Sequence, residues 1–424
     1  MTDWKLPFLQ YFEEGTKRGK TSALGVELEH FIVDKKTGLA VPYRGENGVR
    51  QILSELIRLY PDARILPDDD FFGFATPEFT ITLEPAAAFE ISIAPECSVK
   101  RIGEIYRDFY EKLDLALKEK GYSAVTAGCQ PKSRAESLEL IPKRRYALMN
   151  ERFRQFGTGG MEMMRGTASL QISIDYRSEE DFRRKLQAAY YFGPVLKLFC
   201  DNSASFQGEP LKSRLKRTQI WRRVDPVRCG ILPGVFSENY GFSDYTDFLG
   251  AMPPIFIKKE QEIIPTGDKT TAQLCEGRLI SREEVVHILS MAFPDVRLKQ
   301  YLEIRFADSV PFVFMLAYCA LIKGLFYCDK GISYAERRIP EEGILEKDVI
   351  EAENSIMELG WKANAYGRPV RELAEKVLSL AREGLEKEEA EYLNAFNAIM
   401  EYEGICNIAP EETEKLTDRF KLKL

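Results

Sequence analysis

Residues 24–34 read LGVELEHFIVD, with glutamates at positions 27 and 29. Val26, Leu28, Phe31, Ile32 and Val33 give this run the character of a β-strand. Side chains alternate along a strand, so Glu27 and Glu29 share one face, roughly 7 Å apart. The segment 80–95, TITLEPAAAFEISIAP, adds Glu84 and Glu90 at strand ends beside a turn, and LKQYLEIRF at 298–306 adds Glu303. Carboxylates brought together raise one another's pKa unless a divalent cation supplies compensating charge. Magnesium or manganese takes carboxylate and phosphate oxygens together, so a converging set of this kind suits ATP chemistry. A second group is cationic. Arg217 and Arg228 flank Trp221 in RTQIWRRVDPVRCG, and Arg305 lies two residues beyond Glu303. A guanidinium grips carboxylate or phosphate with two parallel hydrogen bonds.

The elements that carry these residues share one pattern. In LKQYLEIRF, Leu298, Leu302, Ile304 and Phe306 take one face and Tyr301, Glu303 and Arg305 the other. In TASLQISID at 167–175, Gln171, Ser173 and Asp175 oppose Leu170, Ile172 and Ile174. Two readings fit a set of strands with polar fronts and apolar backs. One is an antiparallel sheet whose polar side is simply in water. The other is a curved sheet whose concave polar face forms a site. Further strands are expected at 79–83, 89–93 and 122–127, and helices at 48–60, 98–120 and 179–201. Residues 217–254 are rich in turns and aromatics, and 345–424 follow a helical pattern with solvated glutamates and lysines. We therefore expect one catalytic domain over 1–424, with 345–424 a mostly helical part packed on the core.

Composition narrows the chemistry. The chain has 424 residues and a net charge of −7, which argues against nucleic acid or an anionic membrane as partner. Two histidines, His30 and His287, cannot make a histidine-rich metal site, so a metal would need oxygen ligands. Eight cysteines without a CxxC pair point to neither zinc nor a redox motif. No targeting segment is evident in MTDWKLPFLQYFEEG, and the apolar run 312–326 is too short to span a bilayer, so a cytoplasmic location is expected. Residues 15–21, GTKRGKT, come near a P-loop but have three residues between the glycines instead of four, and they precede a strand instead of following one. They read as a basic loop.

Taken in order, these motifs resemble those of the glutamate–cysteine ligases, in particular the plant-type group with many bacterial members. The resemblance runs from Gly25-Val26-Glu27-Leu28-Glu29 through Leu83-Glu84-Pro85 to Phe89-Glu90. It continues through Gln130-Pro131, Pro142-Lys143, Arg145-Tyr146 and Met149, and then Met163 to Asp175. Its most specific part is RTQIWRRVDPVRCGILPGVFSENYGFSDYTDFLGAMPPIF, with Arg217, Trp221, Asp225, Arg228, Gly241-Phe242, Tyr245 and Pro253; the closing block is FPDVRLKQYLEIRFAD. Two places depart from the family pattern: Ala86-Ala87-Ala88 stands where Gly-Gly-Gln is common, and Gly166 stands where plant members carry arginine.

The resemblance implies an α+β, glutamine-synthetase-like catalytic fold: a curved, mainly antiparallel sheet forming a funnel, backed by helices. It implies ATP- and Mg2+-dependent joining of the L-glutamate γ-carboxylate to the L-cysteine amine through a γ-glutamyl phosphate. By position it makes Glu27, Glu29, Glu84, Glu90 and Glu303 metal ligands or their neighbours, and puts Gln171 near the metals and the transferring phosphate. Arg228 is expected on the glutamate α-carboxylate, Arg305 on the developing phosphoryl charge, and Arg217, Trp221 and Tyr245 around the substrate. Alternatives are a γ-glutamyl ligase with another acceptor amine, a guanidino phosphotransferase on a related fold, and an inactive glutamate- or nucleotide-binding protein.

Overall fold

Nine strands share one sheet in the computed structural model, which describes residues 3–17, 22–68, 70–259 and 262–421. They are β1 (Leu24–Asp34), β2 (Arg64–Ile65), β3 (Gly73–Ala75), β4 (Phe79–Leu83), β5 (Phe89–Glu96), β6 (Tyr122–Val125), β7 (Ser169–Ile174), β8 (Val296–Leu298) and β9 (Leu302–Asp308). The order is β8-β9-β7-β1-β5-β4-β3-β2, and β6 pairs with the distal half of β1. Every pairing is antiparallel, and the end strands β8 and β2 do not meet to close a barrel.

Register follows from the alternation. Leu28 of β1 lies opposite Leu170 and Ile91, and Val26 opposite Ile172 and Ile93, so the apolar backs align across three strands. The same register places Glu27 between Gln171 and Ser92 and sets Glu29 opposite Glu90. A one-residue slip would exchange the two faces and put the acids in the core.

Helices cover the apolar face. They include α1 (Val99–Lys118), α4 (Glu179–Phe199) and α6 (Phe312–Phe326); α2 (Arg144–Arg154), α3 (Gly159–Gly166) and α5 (Lys216–Trp221) carry side chains to the polar face. Helix α1 begins where Ser98 accepts a hydrogen bond from the Arg101 amide, and the chain turns after it at Gly121, whose φ of 71° is readily adopted by glycine. Helix α6 is apolar around its circumference and almost wholly buried, as a central helix must be. His30 points into this back layer, where its ring stacks on Tyr106 and its Nε2 lies 2.7 Å from the Tyr106 hydroxyl. His287 is engaged by the Phe256 carbonyl at 3.0 Å.

Helix α7 (Glu346–Leu359) and the helices Val370–Glu383, Ala395–Glu401 and Pro410–Lys421 make up most of the C-terminal part. Phe396 and Trp361 pack on Phe199 of α4, with ring centroids 4.5 and 5.6 Å away. Among the described residues no single helix is long and apolar enough to cross a membrane.

The structure differs from the sequence reading in several places. The strand expected at 298–306 is a hairpin: β8 and β9 are joined by Lys299–Tyr301, with Leu298 opposite Leu302 and Arg297 opposite Glu303. The turn-rich segment 217–254 contains α5 and the helix Phe242–Ala251. Of the P-loop-like run, Gly15 and Thr16 end the helix Leu6–Thr16 and Lys17 caps it, while residues 18–21 lie outside the described residues. In the β4–β5 turn, Ala87 takes a φ of 65°, a left-handed conformation in which the glycine common at this place in the family would be unstrained.

Ile172 is fully buried at the centre of the sheet. Ile172→Ala is expected to cost about 2–5 kcal/mol, measured by urea unfolding.

Candidate active site

The polar face of the sheet forms the floor of a cleft of about 260 Å3. Glu27, Glu29, Glu84, Glu90 and Gln171 line it from β1, the β4–β5 hairpin and β7. Arg145, Tyr146 and Met149 enter from α2, Met163 and Met164 from α3, and Arg217 and Trp221 from α5. Arg217 and Trp221 are four residues apart, so one helix face presents both. Phe293, Arg297, Lys299 and Arg305 complete the wall from the β8–β9 hairpin and the chain leading into it.

Glu29 accepts from the Ser169 amide at 3.1 Å and the Ser169 hydroxyl at 2.6 Å. Glu90 accepts from Thr82 and Ser92. Glu27 and Glu84 make no hydrogen bond or ion pair among the described residues. Burial, then the charges of Glu90 and Glu303, push the Glu27 carboxyl up to about 8. Burial and Glu29 push Glu90 up to about 7. Burial and Glu90 hold Glu84 well above the usual range. Burial also raises Glu29, against the pull of its Ser169 hydrogen bonds.

Glu303 takes a different place from the one expected of it. It is fully buried, and both of its oxygens are committed: Oε1 to Lys299 Nζ at 2.6 Å, and Oε2 to Arg297 Nη2 at 2.6 Å and Arg305 Nη1 at 2.9 Å. Burial would raise its pKa, but these three cations outweigh burial and hold it well below the usual range. Glu303 therefore anchors cations and does not present an oxygen to the cleft. Arg305 also donates to Gln171 Oε1. It reaches there from a bulge in β9, where Arg305 and Phe306 fall in the register gap between Ile304–Ile172 and Ala307–Leu170, opposite Gln171.

Two further expectations are corrected. Arg228 is sealed away from solvent and is not part of the cleft wall. Its Nε binds Asp225 at 2.7 Å, Nη1 the Met291 carbonyl at 2.9 Å and Nη2 the Pro253 carbonyl at 2.7 Å, leaving no free edge for a substrate carboxylate. Tyr245 is buried against Phe12, and its hydroxyl accepts the Leu298 amide at 3.1 Å, so it supports the hairpin from behind and does not wall the pocket. Trp221 does line the cleft, with the Arg217 and Arg305 guanidiniums 5.6 and 5.7 Å from its ring.

Sequence reasoning did not assign roles to Arg145, Arg297 and Lys299. The last two had a signal: Val296-Arg297-Leu298 and Leu302-Glu303-Ile304 repeat one alternation on either side of three residues, the pattern of a hairpin that sets Arg297 across from Glu303. Among the described residues no three acidic, histidine or cysteine side chains form a ready metal cage.

Arg228→Met removes the close cation of buried Asp225, leaving it Arg152 at 3.6 Å and the Val227 amide; we expect a loss of about 3 kcal/mol in urea unfolding. The acids of the floor give a pH signature. A carboxyl with a raised pKa keeps in the folded chain a proton that the unfolded chain has released, so stability falls as pH rises until the folded group ionises. Above about pH 6.5, where an unfolded histidine no longer contributes, the melting temperature without divalent cation is expected to fall up to pH about 8, and to fall less in Glu27→Gln.

Comparison with known proteins places this cleft in context. The chain is 29% identical to the chloroplastic glutamate–cysteine ligase of Arabidopsis thaliana over 403 residues, covering 92% of this chain and 76% of that protein. It is 28% identical to the chloroplastic glutamate–cysteine ligase B of Oryza sativa subsp. japonica, covering 93% and 81%. These relatives are chloroplastic by name, which overturns the expectation of a cytoplasmic location. A crystal structure of a glutamate–cysteine ligase from Francisella tularensis in complex with AMP superimposes with a TM-score of 0.59 at 10% identity, covering 95% of this chain and 89% of that one, so the fold is shared. The model of glutamate-cysteine ligase family 2 matches residues 23–408, and the chain is a member of that family of ligases.

Proposed function

We propose that this ligase joins the γ-carboxylate of L-glutamate to the amine of L-cysteine at the expense of ATP, by way of a γ-glutamyl phosphate. The observation that carries the reading is the pairing of charges in one cleft: Glu27 and Glu84 have no partner among the described residues, while Arg145, Arg217, Arg297, Lys299 and Arg305 face the same space. A γ-carboxylate oxygen attacks the terminal phosphorus, and the bond to the bridging oxygen breaks with release of ADP. The cysteine nitrogen then attacks the acyl carbon, the carbon–oxygen bond to phosphate breaks, and the amine proton leaves with the phosphate.

The chain's own residues divide the work. Arg305, held by Gln171 and Glu303, offers fixed positive charge where it develops on the transferring group. Arg217 replaces Arg228 as the residue for the glutamate α-carboxylate: it lines the cleft, and its buried Nε has no hydrogen-bond partner among the described residues. Met149, Met163, Met164 and Phe293 give an apolar wall suited to an uncharged side chain on the acceptor. The donor set fits magnesium, which binds through one or two carboxylates with waters and phosphates instead of an all-protein cage. Glu27 and Glu84 would hold it, and when bound it would neutralise and orient phosphate oxygens. The AMP bound to the Francisella neighbour supports the use of an adenine nucleotide.

Arg165 turns away from the cleft, to the Ala135 and Leu138 carbonyls and Asn150, so it does not substitute for the family arginine absent at Gly166. That departure makes a different acceptor amine the second reading. A phosphate-release assay with mass spectrometry of products decides between them. Turnover is expected to require glutamate, cysteine, ATP and magnesium together. Cysteine-independent turnover with another amine supports the second reading. Glu27→Gln is expected to lower turnover by roughly 10- to 100-fold without lowering the melting temperature.

A further inference from the structure

Behind the cleft wall lies a cluster of charges, none of which lines the cleft. Lys197, in the last turn of α4, places its Nζ 2.7 Å from Asp295 Oδ2 and 2.6 Å from Glu353 Oε1. Glu353 belongs to α7 in the C-terminal part, and its other oxygen pairs with Arg222. Arg222 also donates to Asn354 Oδ1 at 2.6 Å. Lys197 and Glu353 are 4% and 2% exposed. A buried set of this kind adds little net stability, because apolar side chains of the same volume commonly do as well or better.

What the cluster does have is direction. Asp295 immediately precedes β8, and its carbonyl accepts the amide of Arg305 at 3.0 Å. Its own amide donates to the Gly230 carbonyl at 2.9 Å. Arg305 sits in the β9 bulge, and its carbonyl accepts from Arg217 Nη1 at 3.0 Å. Arg222 directly follows Trp221, whose ring the Arg217 and Arg305 guanidiniums face. The chain of contacts thus runs from Glu353 through Lys197 and Asp295 to Arg305, and from Glu353 through Arg222 to Trp221.

We propose that Lys197, Asp295, Arg222 and Glu353 are positioning residues that set the Arg305–Trp221 wall, so that α7 controls the alignment of the groups facing the transferring phosphoryl. The proposal rests on the reading of the cleft as the ligase site. It explains why four charges are kept where none lines the cleft.

The test is the double variant K197M/E353Q, which removes one charge of each sign, leaves the partly exposed Asp295 to water and leaves Arg222 its bond to Asn354. We expect a melting temperature within a few degrees of wild type, kcat lowered about tenfold, and KM for ATP within about twofold. In a R305K background the same pair of changes should alter kcat by less than about twofold, because the residue through which it acts is already displaced. Unchanged kcat in the folded double variant, or a loss that multiplies in full with R305K, overturns the proposal. Should K197M/E353Q not fold, the isosteric D295N is read by the same criteria.

A readout independent of turnover is acrylamide quenching of Trp221, taken as the difference between each protein and its W221F counterpart. Stronger quenching is expected in K197M/E353Q. Identical quenching overturns the proposal even if the wild type proves not to turn over glutamate and cysteine, an outcome that would separately refute the ligase reading.

Discussion

Four carboxylates share one face of a sheet and one small cleft, and the surrounding architecture follows from that repulsion. Glu27 and Glu29 are brought together by strand alternation alone, and Glu90 joins them because the β1–β5 register sets it opposite Glu29. Like charges so placed favour partial protonation or a bound cation, and burial strengthens that demand because water is not there to screen. A sheet that merely exposed its polar side to solvent would face no such demand. The helices α2, α3 and α5 close over this face and create it.

The structure answers the charge in two ways. At one side of the cleft it supplies fixed compensation: Glu303 collects Arg297, Lys299 and Arg305 into a net-positive wall. At the other side it withholds compensation, leaving Glu27 and Glu84 without partners among the described residues. A cleft with a prearranged cationic wall beside uncompensated acids can receive an anion and a divalent cation together, as the transfer of a phosphoryl group requires. The β9 bulge joins the two sides, because it aims Arg305 at Gln171 in a position that regular pairing would not provide.

Much of the frame was legible in the chain. The strand 24–34 was expected with the limits observed, as was 79–83, because each is a clean run of β-branched, aromatic and alternating residues bounded by turns. The helix at 179–201 matched α4 to within two residues, because Ser178 caps it and acidic residues fill its first turn. The helices 144–154 and 159–166 escaped notice: both are short, and α3 is rich in glycine, so tertiary packing stabilises them more than propensity does. Residues 298–306 read as one strand because the three-residue turn of the hairpin, Lys299-Gln300-Tyr301, carries no glycine, proline or asparagine to mark it.

For the site, the local alternation of side chains determined from sequence alone that Glu27 and Glu29 share a face, whereas the shared face of Arg217 and Trp221 came from helix α5, which forms in a segment that reads as turns. Which of the remaining charged groups faces the cleft was decided by the tertiary structure. Arg228 and Arg217 look equivalent as letters, yet Arg228 meets Asp225 and two carbonyls in the core, and Arg217 meets the cleft with an Nε unpaired among the described residues. Glu303 and Glu27 likewise look equivalent, yet among the described residues a hairpin pairs three cations with one and none with the other. Charge is a property of the residue, but availability depends on the neighbours that compete for it. Those neighbours come from segments far apart in the chain, so only the folded structure brings them together.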